Sequence, residues 1–394
     1  MPVPFPPIVD DPRIQRAFAF LAATDEVTLA TQIELSEIPA PPFQERKRGL
    51  RLAELFEAEG LTDVRIDEVG NVLASAPGED DGSALVVSAH LDTVFPEGTD
   101  VSVTREGDLL TGPGISDDAR GLACMVAVVR ALANARISTE RPLLFAGTVG
   151  EEGIGDLRGV KHLFRSGGDG EGSSAFISLD GAGLDRIVVH GLGSRRYRIT
   201  VRGPGGHSWV DWGTPNPLHA LTRIGQRLTA LPLSDDPRAT LTLARTGGGT
   251  SINAIPQEAW LEVDTRSSVG AHLDGLQDQL RACVDQEVGR RPELHATIEV
   301  VGDRPGGHTA EDEALVQAAL EATRHRGRIP QLALSSTDAN VPMARGIPAL
   351  TLGCGGDAGL AHTTDEWYRN VNGPDGPVRA LHTILLYAGV AAIG

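Results

Sequence analysis

Three apolar runs in this chain each lead into side chains that can hold a metal or move a proton, and that pattern limits the fold more than any other. Ala84-Leu85-Val86-Val87-Ser88-Ala89 ends at His90, with Asp92 two residues on. The run from Leu143 to Thr148 leads into Glu151-Glu152, and Ala175 to Leu179 is closed by Asp180. Near-continuous apolar runs of this length mark strands covered on both faces of a sheet. Helical spacing fills the gaps. Residues 43–60 place Leu50, Ala53, Leu55 and Phe56 before a stop at Gly60, and Leu122, Met125, Val126, Val129 and Leu132 follow Asp117-Asp118. Strands alternating with helices predict an α/β fold, a mostly parallel sheet with helices on both faces. In such sheets the carboxyl ends of the strands open onto one crevice. His90, Glu151, Glu152 and Asp180 are therefore expected to share one site.

From about His190 the rhythm changes. Strands near 196–202, 239–245, 259–266 and 295–301 enclose helices near 216–230 and 271–288. That order predicts an inserted, smaller α+β domain of split βαβ, ferredoxin-like type. The boundaries expected are 1–189 and 304–394 for the two parts of the larger domain and 190–303 for the insertion. After Pro305 come a helix over 311–325, strands near 331–334 and 348–352, and a closing helix from 374. A chain of 394 residues is long enough for two such cores, at roughly 150 residues per domain.

Composition removes several functions. Hydrophobic residues at 41% and charged residues at 22% exclude a disordered or fibrous chain. A formal charge of -18 leaves no basic face for nucleic acid. Cys124, Cys283 and Cys354 lie far apart without Cys-x-x-Cys spacing, so they read as buried free thiols and not as a disulfide or thiolate metal framework. No apolar stretch approaches the ~20 residues of a membrane span. The start, MPVPFPPIVDDPR, lacks the basic and apolar regions of a secretory signal, so a cytoplasmic protein is expected. Gly247-Gly248-Gly249 and Gly203-Pro204-Gly205-Gly206 lack the Lys-Ser/Thr of a phosphate loop, and no Gly-x-Ser-x-Gly elbow is present.

Each candidate has a functional and an ordinary reading. His90-Leu91-Asp92 puts two side chains on one side of an extended segment, so Asp92 can accept the second ring N–H of His90 and fix its tautomer; a capped turn is the alternative. Asp117-Asp118, after Gly112-Pro113-Gly114-Ile115-Ser116, precedes a helix and could be ordinary N-capping. Glu151-Glu152 are adjacent carboxylates that repel unless a cation or proton intervenes. One could bind metal while the other acts as a base, or both could form a solvated acidic turn. Asp180 and His362 are not singled out by periodicity at all.

Taken together, these residues resemble the co-catalytic dizinc exopeptidases and deacylases, a family that includes peptidase T, glutamate carboxypeptidase and acetylornithine deacetylase. The resemblance runs from about residue 25 to the end. It is carried in order by Ser88-Ala89-His90-Leu91-Asp92-Thr93-Val94, by Gly112 to Asp118, by Thr148-Val149-Gly150-Glu151-Glu152-Gly153 and by Leu179-Asp180. Gly205-Gly206-His207-Ser208, Asn253-Ala254-Ile255-Pro256 and His362-Thr363-Thr364-Asp365-Glu366 complete it. Two departures stand out: Ala119-Arg120-Gly121 replaces the family's Lys-Gly, and Asp180 follows the peptidase T and dipeptidase branches, where the deacylases have Glu.

The resemblance implies that Asp117 bridges two Zn2+ ions, with Co2+ or Mn2+ as substitutes, and that its bond to Asp118 is cis. His90 and Asp180 would hold one ion, and Glu152 and His362 the other. Glu151 would be the general base, and His207 would reach a partner subunit's site to hold the oxyanion, making the insertion a lid and dimerisation domain of a homodimer. Asn253 would lie near the substrate and Arg266 would anchor a carboxylate. The expected activity is hydrolysis of amide bonds in small peptides or N-acyl amino acids, with a peptidase T-like exopeptidase preferred to a deacylase or carboxypeptidase. A non-catalytic, metal- or ligand-binding family member is the alternative of another class. Arg304-Pro305-Gly306-Gly307-His308 resembles a peptidase T-like loop without an assigned role.

Overall fold

In the computed structural model of the chain, residues 8–80 and 82–392 are described. The proline-rich start read against a secretory signal falls largely outside them. The chain divides into two compact units, residues 1–191 with 308–394, and residues 192–307.

The larger unit is built on a nine-stranded sheet. Its centre consists of β1 (Leu85–His90), β2 (Leu143–Thr148), β3 (Ala175–Leu179) and β4 (Ala349–Leu352). β1 runs parallel to β2 and to β3, and β4 runs parallel to β3. Antiparallel strands flank them: Val72–Ala76 pairs with β2, Thr62–Ile66 pairs with that strand, and Arg186–Gly191 pairs with β4. Every residue of the four central strands is buried, as their apolar runs require. Successive residues serve opposite faces. Val87 packs with Leu122, Val126 and Leu381 on one side, and Val86 with Leu157, Phe164 and Met343 on the other. Helix α1 (Ala119–Ala135) lies buried along nearly its whole length, between the sheet and helices Pro12–Ala23 and Asp375–Ala388.

The smaller unit is a four-stranded antiparallel sheet in the spatial order Ala239–Gly248, Glu258–Ser267, Gly193–Arg202, His295–Arg304. Helices Pro217–Thr229 and Gly270–Val288 cover one face, where Tyr197, Ile199, Val201, Leu221, Ile224, Leu261 and Leu280 form its core. With one helix after the first strand and one after the third, this is the split βαβ arrangement. No helix among the described residues is long and apolar enough to cross a membrane. The three cysteines are free and buried.

Candidate metal centre

The parallel register brings the strand ends level. Ala89 and His90 lie beside Gly147 and Thr148, and Ser88 beside Ser178. Leu91 N–H donates to the Thr148 carbonyl at 2.7 Å, and Asp180 N–H to the Leu352 carbonyl at 2.9 Å. The side chains that follow each strand therefore emerge at one edge of the sheet, where loops carrying Asp117 and His362 join them.

His90 is buried. Its ring Nε2 lies 2.9 Å from Asp117 Oδ1, and its backbone N–H donates to Asp118 Oδ2 at 3.0 Å. The expected contact between its second nitrogen and the Asp92 carboxylate needs correcting. Nδ1 lies 3.0 Å from the Asp92 carbonyl and 3.7 Å from its Oδ1. The carboxylate is taken up elsewhere, accepting the backbone N–H groups of Glu151 at 2.9 Å and Glu152 at 2.8 Å. One buried residue thus orients the imidazole at the end of β1 and fixes the acidic pair after β2.

Asp117 faces both histidines. Its Oδ1 meets His90, and its Oδ2 lies 3.1 Å from His362 Nε2, which is also 2.7 Å from Glu152 Oε1. The Asp117–Asp118 peptide bond is cis. Asp118 caps α1 by accepting Gly121 N–H at 3.0 Å, and it also accepts from His90 N and from Gly181 N at 3.1 Å. The capping interpretation therefore holds for Asp118, while Asp117 is turned to the two histidines.

Ligand atoms of His90, Asp117 and Glu152 all lie within 4.8 Å of one another, as do those of His90, Asp118 and Asp180. In the second set the Asp118 oxygens are already engaged by three backbone amides, which leaves Asp180 as the better placed donor. The charges respond to the crowding. Burial and the neighbouring charges of Asp117, Glu152 and Asp338 push the Asp180 carboxyl up to about 7. Burial and the charges of Asp180 and Asp117 drive Asp118 well above the carboxylate range. Hydrogen bonds to Asp117 and Glu152 raise His362 to about 10. Burial would lower His90, yet the charge of Asp118 and the contacts with Asp117 and Asp92 carry it well above its ordinary value. Asp117 goes the other way: its two imidazole contacts outweigh burial and hold it below the usual range. A cluster with this excess of carboxylates draws positive charge, and its converging nitrogen and oxygen donors, without thiolate, suit Zn2+, Co2+ or Mn2+. The residues fit a pair of divalent cations.

Two contributors receive no role from the sequence, although Glu366 ends one of the stretches that carry the resemblance. Glu366 is buried and accepts the backbone N–H groups of Gly114, Ser116 and Asp117 at 3.0, 2.8 and 2.9 Å, holding the Asp117 loop from a distant part of the chain. Burial raises its carboxyl to about 7 against the pull of those bonds. Asp338 accepts from Thr148 Oγ1 at 2.5 Å and adds to the negative charge felt by Asp180. Asp338 looks like an ordinary surface acid when read in sequence.

Within the smaller unit, Gly206–His207 pairs with Ala254–Ile255, with His207 opposite Ala254 and Asn253 just before the second segment. Asn253 C=O accepts Ser208 N–H at 3.0 Å, and its Oδ1 accepts Ser251 Oγ–H at 2.6 Å. Arg266 is engaged within its own strand, its Nε donating to Asp264 Oδ2 at 2.8 Å.

Residues 86–384 match the profile of peptidase family M20/M25/M40. A succinyl-diaminopimelate desuccinylase of Leptothrix cholodnii is 29% identical over 303 residues, covering 69% of this chain and 75% of that protein. A tripeptidase structure from Staphylococcus aureus aligns with a TM-score of 0.77 at 22% identity, over 92% of this chain and 98% of its own. A dinuclear metal binding peptidase of family M20 from Bacillus subtilis aligns with a TM-score of 0.68 at 18% identity, over 94% and 99%. These two structures share the fold. The profile match spans both parts of the larger unit and all of the smaller one, so the chain belongs to peptidase family M20/M25/M40, hydrolases that act on amide and peptide bonds.

Proposed function

We propose that this chain is a zinc-dependent, peptidase T-like exopeptidase acting on small peptides. In this reading His90 and Asp180 would hold one ion, Glu152 and His362 would hold the other, and Asp117 would serve both. The observation that carries it is the stance of Asp117, which turns one carboxylate oxygen to each histidine. Divalent cations held there would supply Lewis acidity, making the attacking water easier to deprotonate.

The chain's own groups do the rest. Glu151 is buried next to Glu152, with its backbone N–H fixed by Asp92. Its carboxylate takes the proton of the attacking water and returns it to the leaving nitrogen. His207 Nδ1 accepts the backbone N–H groups of Trp209 at 3.2 Å and Val210 at 3.3 Å, which assigns the ring proton to Nε2. An Nε2–H donor is the form that stabilises an oxyanion. Acting on a second copy's site, it makes the smaller unit a lid in a homodimer. Asn253, beside His207, would contact the substrate.

Glu151→Gln should retain two metal equivalents by elemental analysis while hydrolysis of a tripeptide panel falls about 10²–10⁴-fold. Loss of metal, or retained turnover, would remove Glu151 as the base. His207→Ala should fold and bind metal but lose about 10²–10³ in kcat; an active monomer, or full activity in this variant, would refute the trans role. A second reading, N-acyl amino acid deacylation, is favoured by the desuccinylase relative at 29% identity. Faster turnover of N-acyl amino acids than of peptides would select it. A metal-loaded protein that hydrolyses neither would be a non-catalytic family member.

A further inference from the structure

The catalytic unit displays large apolar side chains beside the metal centre that no core uses. Ile154 is 74% exposed, Phe43 59% and Leu360 58%. Single exposed apolar residues are ordinary on a protein surface. Position and backbone set these apart.

Ile154 lies two residues past Glu152, in the tight turn Gly153–Gly155 closed by Gly155 N–H to the Glu152 carbonyl at 2.7 Å. Leu360 lies two residues before His362, in a turn closed by Thr363 N–H to its own carbonyl at 3.1 Å. Each therefore shares a turn with a proposed ligand. The Phe43 ring covers the guanidinium of Arg158 at 4.8 Å, and Arg158 donates to Glu45 Oε2 at 2.7 Å. A side chain on Gly150, the residue before Glu151, would strike that same Arg158, so Arg158 lies between Phe43 and the Gly150 backbone.

Phe43 and Leu360 also sit at φ +72° and +57°, the left-handed region in which a bulky residue is a true outlier. Glycine or asparagine would take those turns with less strain. Strain of this sort gathers where a side chain is needed for contact. The guanidiniums packed behind the centre do not offset the apolar character. Arg48 is spent on the carbonyls of Ser36, Ile38 and Leu91, and Arg158, paired through Nη2 with Glu45 beneath the Phe43 ring, keeps its unpartnered Nη1 buried and out of a substrate's reach.

We infer that Phe43, Ile154 and Leu360 form an apolar rim that selects amides bearing a large uncharged aliphatic or aromatic side chain beside the scissile bond and disfavours acidic ones. The inference rests on the hydrolase reading above.

The test compares metal-loaded wild type with Phe43→Gly, Leu360→Gly and the double variant on Leu-, Phe-, Gly- and Glu-containing tripeptides and N-acetyl amino acids. Glycine at both positions relieves the backbone, so the variants retain the fold. Leu and Phe substrates should lose about ten-fold in kcat/KM, chiefly through KM, with Gly substrates changing less than about two-fold. Titration calorimetry of Leu-Leu-Leu and Glu-Glu-Glu into Glu151→Gln protein, with and without the rim changes, reads the same preference without turnover. Hydrolysis without apolar preference, or an equal loss on every substrate, overturns the rim and leaves the hydrolase standing. No hydrolysis of any amide by wild type overturns both.

Discussion

The Asp92 carboxylate accepts two consecutive amides, from Glu151 and Glu152, while its carbonyl faces Nδ1 of His90. Its removal should loosen both sides of the centre. Asp92→Ala is expected to weaken binding of a divalent metal about 10–100-fold, the usual effect of losing a group that orients ligands. Equilibrium dialysis measures this, and unchanged affinity would mean that the loops position themselves. At this scale the sequence was informative wherever a side chain follows a strand directly, as with His90, Glu152 and Asp180. It also placed Asp92 beside His90, yet chose the wrong oxygen, because backbone carbonyls are invisible to a side-chain pattern. The role of Glu366, though the residue ends a family-like stretch, was illegible for a different reason. Its role is defined by three amides some 250 residues away, at separations of 249, 250 and 252.

Among the elements, the buried strands and long helices are where their periodicity places them. The strand expected over 84–89 is Leu85–His90, and the helix expected after Asp118 is Ala119–Ala135. The helix expected over 43–60 is the shorter Arg46–Ala58, and Leu50 on it is exposed. Helices Pro12–Ala23 and Asp25–Ser36 went unread beside a proline-rich start, and so did the three-residue strands Thr104–Glu106, Leu109–Thr111, Asp357–Gly359 and Trp367–Arg369. Three residues are too few to show an alternation, and these strands exist only through their pairing. Helix starts depend on identifiable caps. Asn216 Oδ1 accepts Leu218 N–H at 2.9 Å and His219 N–H at 3.2 Å at the head of Pro217–Thr229. Asn216→Ala should cost the smaller unit about 1 kcal/mol, visible as a lower denaturation midpoint. No change would show that packing alone starts the helix.

On the scale of the molecule, stability should carry a pH signature from a residue far from the chemistry. His382 is buried, its Nδ1 has no hydrogen-bond partner, and its ring meets Phe18 and His325 at centroid distances of 5.7 and 5.0 Å. Burial, helped by the charges of His325 and Arg326, lowers it to about 4. Above its ordinary value near 6.5, folded and unfolded chains both hold this ring neutral. As pH falls towards 4, the unfolded chain takes up a proton that the folded one refuses, so stability is lost, by at most about 3 kcal/mol. His382→Leu should flatten the dependence of Tm on pH between 6.5 and 4, and an unaltered slope would assign the loss to other groups.

Glu366 has a further consequence for how the protein comes into being. The amides of Gly114, Ser116 and Asp117 are synthesised early, but their acceptor leaves the ribosome only after the whole of residues 192–307 has been made. A nascent chain can form the strands that present His90 and Asp180 long before the loop carrying Asp117 is secured. On the proposed reading, cation binding should therefore wait until Glu366 has been made, and a chain cut short before it should hold metal poorly.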